Sequence, residues 1–80
     1  MITIEIRDAD KAHEGMTEVE IFCDADGLAL LAKQIEHLKS GSSHVHLMTP
    51  AWAGDELGEK PYGTDTILIN HLRITRIPNS

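Results

Sequence analysis

The beginning of the chain contains two runs in which apolar and polar side chains alternate. Ile2, Ile4 and Ile6 alternate with polar neighbours, and residues 17–23 repeat the pattern with an acidic second face. A period of two built largely on β-branched residues predicts half-buried strands. Only the short polar segment 8–15 separates the runs, so we expect the two strands to pair in antiparallel fashion.

The spacing of apolar residues changes to a helical period after Cys23. One stripe repeats at intervals of three and four residues, and its members are Leu28, Leu31, Ala32, Ile35 and Leu38. Asp24 is placed to cap a helix N-terminus, Asp26 suits the positive end of the helix dipole, and Gly41 follows the last turn. These signals predict an amphipathic helix over residues 25–39, with the stripe facing the core.

A third strand and a long loop follow the helix. Val45 and Leu47 alternate with two histidines, which predicts a short strand that Pro50 ends. Residues 49–65 then hold three glycines, two prolines, and the only tryptophan and tyrosine of the chain. A loop of this length inside a small domain is typically functional or mobile.

The last apolar segment, residues 66–77, changes phase in its middle. Ile67 and Ile69 share one face of an extended chain, whereas Leu72 and Ile74 share the other. Three interpretations fit this slip at residues 70–71: a bulged strand, two shorter strands that meet there, or one strand that is partly covered on both faces.

The order strand–strand–helix–strand–strand predicts an α+β fold. We expect a single domain over residues 1–80, with a mostly antiparallel four-stranded sheet and the amphipathic helix packed on one face. A right-handed crossover through the helix would make one strand pair parallel, and the sequence leaves that alternative open.

The charge balance narrows the class of partner. Thirteen acidic against seven basic residues give a net charge of −6, which argues against binding to nucleic acids or anionic membranes. The single cysteine cannot form an internal disulfide, no apolar run is long enough to span a membrane, and the N-terminus does not resemble a signal peptide. We therefore expect an acidic cytoplasmic protein, without a cofactor and without catalytic residues. The last fifteen residues differ, because they carry Arg73 and Arg76 and no acid.

The long loop is the first candidate interaction site. Its candidate contact residues are Trp52, Asp55, Glu56, Glu59 and Tyr62. Aromatic anchors dominate the energetics of interfaces, and acids at the rim steer a basic partner. The alternative is that the two aromatic rings fold back to cover the open face of the sheet.

The polar faces of the first two predicted strands form a second candidate. If the strands pair, Glu5, Glu18 and Glu20 make an acidic patch. A solvated face is the ordinary explanation of the patch, and the functional one is a counter-surface for a basic protein.

Three histidines and one cysteine complete the set of candidates. His44 and His46 lie two residues apart on one face of a predicted strand, and His71 joins them if its strand is adjacent. A metal site there is an alternative to three exposed strand residues. Cys23 precedes a helix N-terminus, but its phase places it among the apolar core residues.

Two short motifs resemble a known family. The helix start Asp24-Ala25-Asp26-Gly27-Leu28-Ala29-Leu30-Leu31-Ala32 (D-x-x-G-L-x-x-L-A) and the strand His44-Val45-His46-Leu47 (H-x-H-L) are similar to those of small immunity proteins of bacterial polymorphic toxin systems. Within that group the chain resembles the immunity protein 32 family. The resemblance covers residues 24–47, with a looser match of the strand pattern to the end of the chain.

The resemblance implies a protein that binds and neutralises a cognate toxin, and it brings no catalytic residues. The acidic balance fits a toxin with a basic surface. One alternative is a structural or regulatory domain that self-associates, for instance as a homodimer that covers an open sheet face. Another is a metal protein or enzyme that uses the three histidines.

Overall fold

The chain folds into two small antiparallel sheets and one helix, and the computed structural model describes residues 1–78. The elements in chain order are β1 (Ile2–Arg7), β2 (Glu18–Cys23), α1 (Ala25–Lys39), β3 (His44–Met48), β4 (Ile67–Leu68) and β5 (His71–Thr75). Two 3₁₀ turns, Ala9–Glu14 and Pro50–Trp52, lie between them. One sheet has the order β2-β1-β4 and the other pairs β3 with β5. The predicted α+β class is confirmed, with five strands in two sheets rather than four strands in one.

The first two strands pair as their alternation predicted. β1 is the central strand of its sheet, and its register with β2 sets Ile2 opposite Cys23 and Ile6 opposite Val19. All strand pairs within residues 1–78 are antiparallel, so the parallel alternative does not occur there.

The phase slip at residues 70–71 marks the passage of the chain from one sheet to the other. The Ile69 amide still donates to the Ile4 carbonyl of the first sheet (2.8 Å), whereas the Asn70 carbonyl accepts from the Thr49 amide beside the second (2.9 Å). The interpretation as two shorter strands is therefore confirmed. The apolar side changes because β4 and β5 approach the core from different sheets.

Helix α1 begins at the predicted cap. The Asp24 side chain accepts a hydrogen bond from the Gly27 amide (2.9 Å) and forms an ion pair with the amino terminus of Met1. The helix ends at Lys39, and Gly41 follows with a φ of 122°. Asp24 therefore acts as the helix cap. Its ion pair with Met1 also links the start of the helix to the start of β1.

The predicted buried stripe of the helix is wrong in part. Three of its members are exposed to solvent: Leu28, Ala32 and Ile35. Gly27 and Leu38 are the buried helical residues, and the helix is rotated so that Gly27 lies against the backbone of Met1. Only a residue without Cβ permits that approach, so the position of glycine decides which face turns inward.

The core lies between the two sheets and the helix. Its buried apolar residues are Ile2, Ile4, Leu38, Val45, Leu47 and Leu57. Cys23 packs against this cluster, which confirms its interpretation as an apolar filler. Within residues 1–78 no helix has both the length and the apolar character needed to cross a membrane.

Candidate functional site

The carboxylate of Glu5 is buried beneath the long loop. Its Oε2 accepts hydrogen bonds from the Thr3 hydroxyl (2.7 Å) and the Tyr62 amide (2.9 Å). Its Oε1 accepts from the Gly63 amide (3.0 Å) and the Thr66 hydroxyl (2.6 Å). Glu5 is 0% exposed. One side chain of the central strand therefore fixes the far end of the loop over the polar face of the first sheet.

This carboxylate stays charged at neutral pH. Burial by itself raises the pKa of a carboxyl, but the four hydrogen bonds outweigh burial and lower the pKa of Glu5 from 4.5 to about 2. The sequence placed Glu5 in an exposed acidic patch with two other glutamates. That expectation is wrong for Glu5, because the loop covers the face of β1 on which it lies.

Glu18 and Glu20 lie on the same side of the sheet and share one cation. Arg7 donates to Glu20 Oε1 from Nε (3.0 Å) and from Nη2 (2.8 Å), and its Nε lies 3.6 Å from Glu18 Oε1. The hydrogen bond to Glu20 raises the pKa of Arg7, with burial opposing it. Arg7 therefore offsets part of the negative charge of Glu18 and Glu20, and this face of the sheet is less acidic than the sequence suggested.

Tyr62 rests on this face without being buried. Its ring centroid lies 5.1 Å from that of Phe22 on β2, and the residue is 69% exposed. Its backbone amide is held by Glu5, so the position of the ring is set by the anchored loop. The ring covers Phe22 on its inner side and offers its other side to solvent.

Trp52 lies at the other end of the loop. It ends the second 3₁₀ turn, is 55% exposed, and places its ring 5.3 Å from the ring of His71 on β5. The loop residue that does enter the core is Leu57, which is 3% exposed. An aliphatic side chain therefore closes the core here, and both aromatic rings of the loop remain at the surface.

The three acidic candidate residues of the loop occupy different environments. Glu56 Oε1 accepts a hydrogen bond from the Met48 amide (2.9 Å), and this bond lowers the pKa of Glu56. A hydrogen bond with Glu56 raises the pKa of its neighbour Asp55. Glu59 is exposed. Glu56 therefore helps to hold the loop against β3, while Asp55 and Glu59 face solvent.

Six of the seven predicted site residues, all but Glu59, fall into two groups according to what they touch. Trp52, Asp55 and Glu56 lie beside β3 and β5. Tyr62, Glu18 and Glu20 lie beside β1 and β2.

The three histidines meet on the outer face of the second sheet. His46 Nδ1 lies 2.6 Å from His71 Nε2, and the rings of His44 and His46 lie 4.8 Å apart, edge to face. Partial burial, followed by the charges of His44, His71 and Arg73, lowers the pKa of His46. Within residues 1–78, no group of three or more His, Cys, Asp or Glu side chains is placed to hold a metal ion.

Comparison with known proteins bears on these surfaces. The sequence matches the family described as immunity protein 32 over residues 18–72, which is most of the chain. The chain belongs to the immunity protein 32 family. No curated protein and no solved structure matches it.

The matched segment of this immunity protein 32 member runs from the start of β2 into β5. It contains every candidate residue of the long loop, together with Glu18 and Glu20. It does not contain β1, and so it excludes the loop anchor Glu5. Sequence reasoning missed the role of Glu5, although one signal was available: a loop as long as residues 49–65 must lie across some face of a thin domain.

Proposed function

We propose that this chain is a bacterial immunity protein that binds and neutralises a cognate toxin. The observation that carries the proposal is membership of the immunity protein 32 family. The role proposed is stoichiometric binding in the cytoplasm, without catalysis, without a cofactor, and without nucleic-acid or membrane contacts. The net charge of −6 supports a toxin with a basic surface, because complementary fields accelerate association.

The proposed contact surface is the long loop with the adjacent face of the first sheet. Its members are Trp52, Asp55, Glu56, Glu59, Tyr62, Glu18 and Glu20. Two large aromatic side chains that remain more than half exposed support this choice. Aromatic residues of this kind act as anchors when a partner desolvates them.

Removal of the tryptophan side chain tests this surface. We expect Trp52→Ala to raise the Kd for the toxin domain encoded by the adjacent reading frame by about 30-fold or more, because a buried aromatic anchor contributes about 2 kcal/mol. Isothermal titration calorimetry with purified proteins measures the change. The matched control is His37→Ala, which removes an exposed ring from α1 and should leave the Kd unchanged. Failure of the wild-type chain to bind that toxin domain would reject the proposed function.

Self-association is a second candidate, and one observation favours it. Leu28 and Ile35 on the outer side of α1 are 58% and 45% exposed, and Ala32 lies between them. An apolar stripe of this spacing suits packing against a second helix. We expect Leu28→Lys to convert a dimer to a monomer in sedimentation equilibrium, and a wild-type chain that is monomeric at high micromolar concentration excludes the candidate.

A further inference from the structure

Strand β2 leaves one side of the first sheet open. The strand order β2-β1-β4 places β1 in the centre and β2 at the edge of the sheet. The six residues of β2 therefore pair with β1 along one of their two sides. Within residues 1–78, no other segment donates or accepts backbone hydrogen bonds along its outer edge. Alternate amide and carbonyl groups of an edge strand are available to a further strand.

On the core-facing side of the first sheet, the helix leaves one end uncovered. The register places Val19, Ile6 and Ile67 in one row across the three strands, and Ile21 lies next to Val19 along β2. Val19 is 62% exposed, Ile67 is 57% exposed and Ile21 is 45% exposed. The helix covers the opposite end of the sheet, because it follows the Asp24 cap and its Gly27 lies against Met1 and Ile2.

The open edge lacks the usual protection against pairing. Edge strands are commonly blocked by lysine, proline or a bulge, and β2 (Glu-Val-Glu-Ile-Phe-Cys) contains no lysine or proline. Its pairing with β1 proceeds residue by residue without a bulge. Its two charged side chains point to the other face, where Arg7 holds them.

We propose that the outer edge of β2, with the apolar row Val19, Ile6 and Ile67 beside it, binds an extended segment of the toxin by strand addition. The proposal rests on the proposed function and adds the edge of β2 to the contact surface proposed there. The segment carries apolar side chains on one face, which meet Val19 and Ile21, and lysine or arginine on the other, which meet Glu18.

The acidic charge of the chain favours a basic toxin segment, rather than a second copy of the chain, at the edge of β2. Glu18 is exposed on the edge strand, and Asp10 and Glu14 are exposed in the turn that precedes it. Pairing of two β2 edges would join two chains that each carry a net charge of −6, which opposes their association. A basic strand is instead attracted by the acidic side chains of Glu18, Asp10 and Glu14.

Hydrogen exchange of the wild-type chain tests the edge without any substitution. We expect the outward amides of β2 to exchange rapidly in the free protein and to become protected when the toxin domain of the adjacent reading frame is added. Protection in the free chain, accompanied by a dimeric mass in sedimentation, would show that a second copy fills the edge and would overturn the proposal.

Substitution tests the apolar row. Val19→Lys places a charged side chain against the apolar face of the docked segment, and we expect it to weaken toxin affinity by about tenfold or more. Ile77→Lys is the matched control, because Ile77 is an 83% exposed apolar residue beyond β5, and its affinity should equal that of the wild type. Toxin binding that leaves the β2 amides unprotected and is insensitive to Val19→Lys overturns strand addition while the proposed function stands. Absence of any binding by the wild type defeats the proposed function itself.

Discussion

Replacement of Glu5 by glutamine is expected to lower the free energy of unfolding at pH 7 by about 3 kcal/mol. Each oxygen of the native carboxylate accepts one hydroxyl and one backbone amide. A glutamine NH₂ group in either orientation must face a backbone N–H, which cannot reverse its role. The lowering of the pKa from 4.5 to about 2 corresponds to a contribution of about 3 kcal/mol. Urea unfolding, followed by the fluorescence of the single tryptophan, measures the loss.

The same carboxylate predicts how stability depends on pH. A folded-state pKa below the unfolded value stabilises the protein fully above the unfolded pKa, and this stabilisation is lost as pH falls from 4.5 toward 2. We expect Glu5→Gln to remove most of that dependence, because glutamine does not titrate. Glu59→Gln, at an exposed loop position, is the control and should retain the wild-type profile. Equal stability of Glu5→Gln and the wild type at pH 7 would show that the loop does not depend on this anchor.

Replacement of Gly27 by alanine is expected to destabilise the fold by about 2 kcal/mol, although alanine is the better helix former. A Cβ atom at this position would overlap the Met1 carbonyl oxygen, and it would lie 2.8 Å from the Met1 carbonyl carbon and 2.9 Å from Ile2 Cγ1. The obstacle is the backbone of Met1, which leads directly into the central strand, so relief requires the helix or the start of β1 to move. Denaturation followed by circular dichroism gives the change in free energy.

Whether Gly27→Ala raises or lowers the free energy of unfolding distinguishes the effect of packing from that of helix propensity. Propensity alone predicts that Gly27→Ala stabilises the protein by about 1 kcal/mol, and that Ala32→Gly on the exposed side of α1 destabilises it by a similar amount. We expect both variants to be less stable than the wild type. A more stable Gly27→Ala variant would contradict the close approach of β1 to the helix.

Local sequence patterns predicted the elements with good accuracy. The helix occupies residues 25–39 as its cap and period indicated, and the third strand is His44–Met48. The slip at residues 70–71 predicted a real boundary, and one of its three interpretations was right. These features depend on neighbours within a few residues, and the sequence carries that information directly.

The candidate site was predicted less completely than the fold. The loop was recognised from its length and composition, and its two aromatic residues are indeed exposed. The role of Glu5 was missed because three of its four hydrogen-bond donors lie 57 or more positions away in the chain. The exposure of Val19 and Ile67 was not predicted, because alternation does not say how far a helix of fixed length covers a sheet.

The sequence by itself therefore determined the first three strands, the helix and its cap, the acidic balance, and the family resemblance. Only the tertiary structure decided which side of α1 faces inward, which glutamate is buried, and which strand edge is left open. The physical reason is common to all three. Each depends on contacts between segments distant in the chain, such as Gly27 with Met1 and Glu5 with the loop, and no local period encodes such contacts.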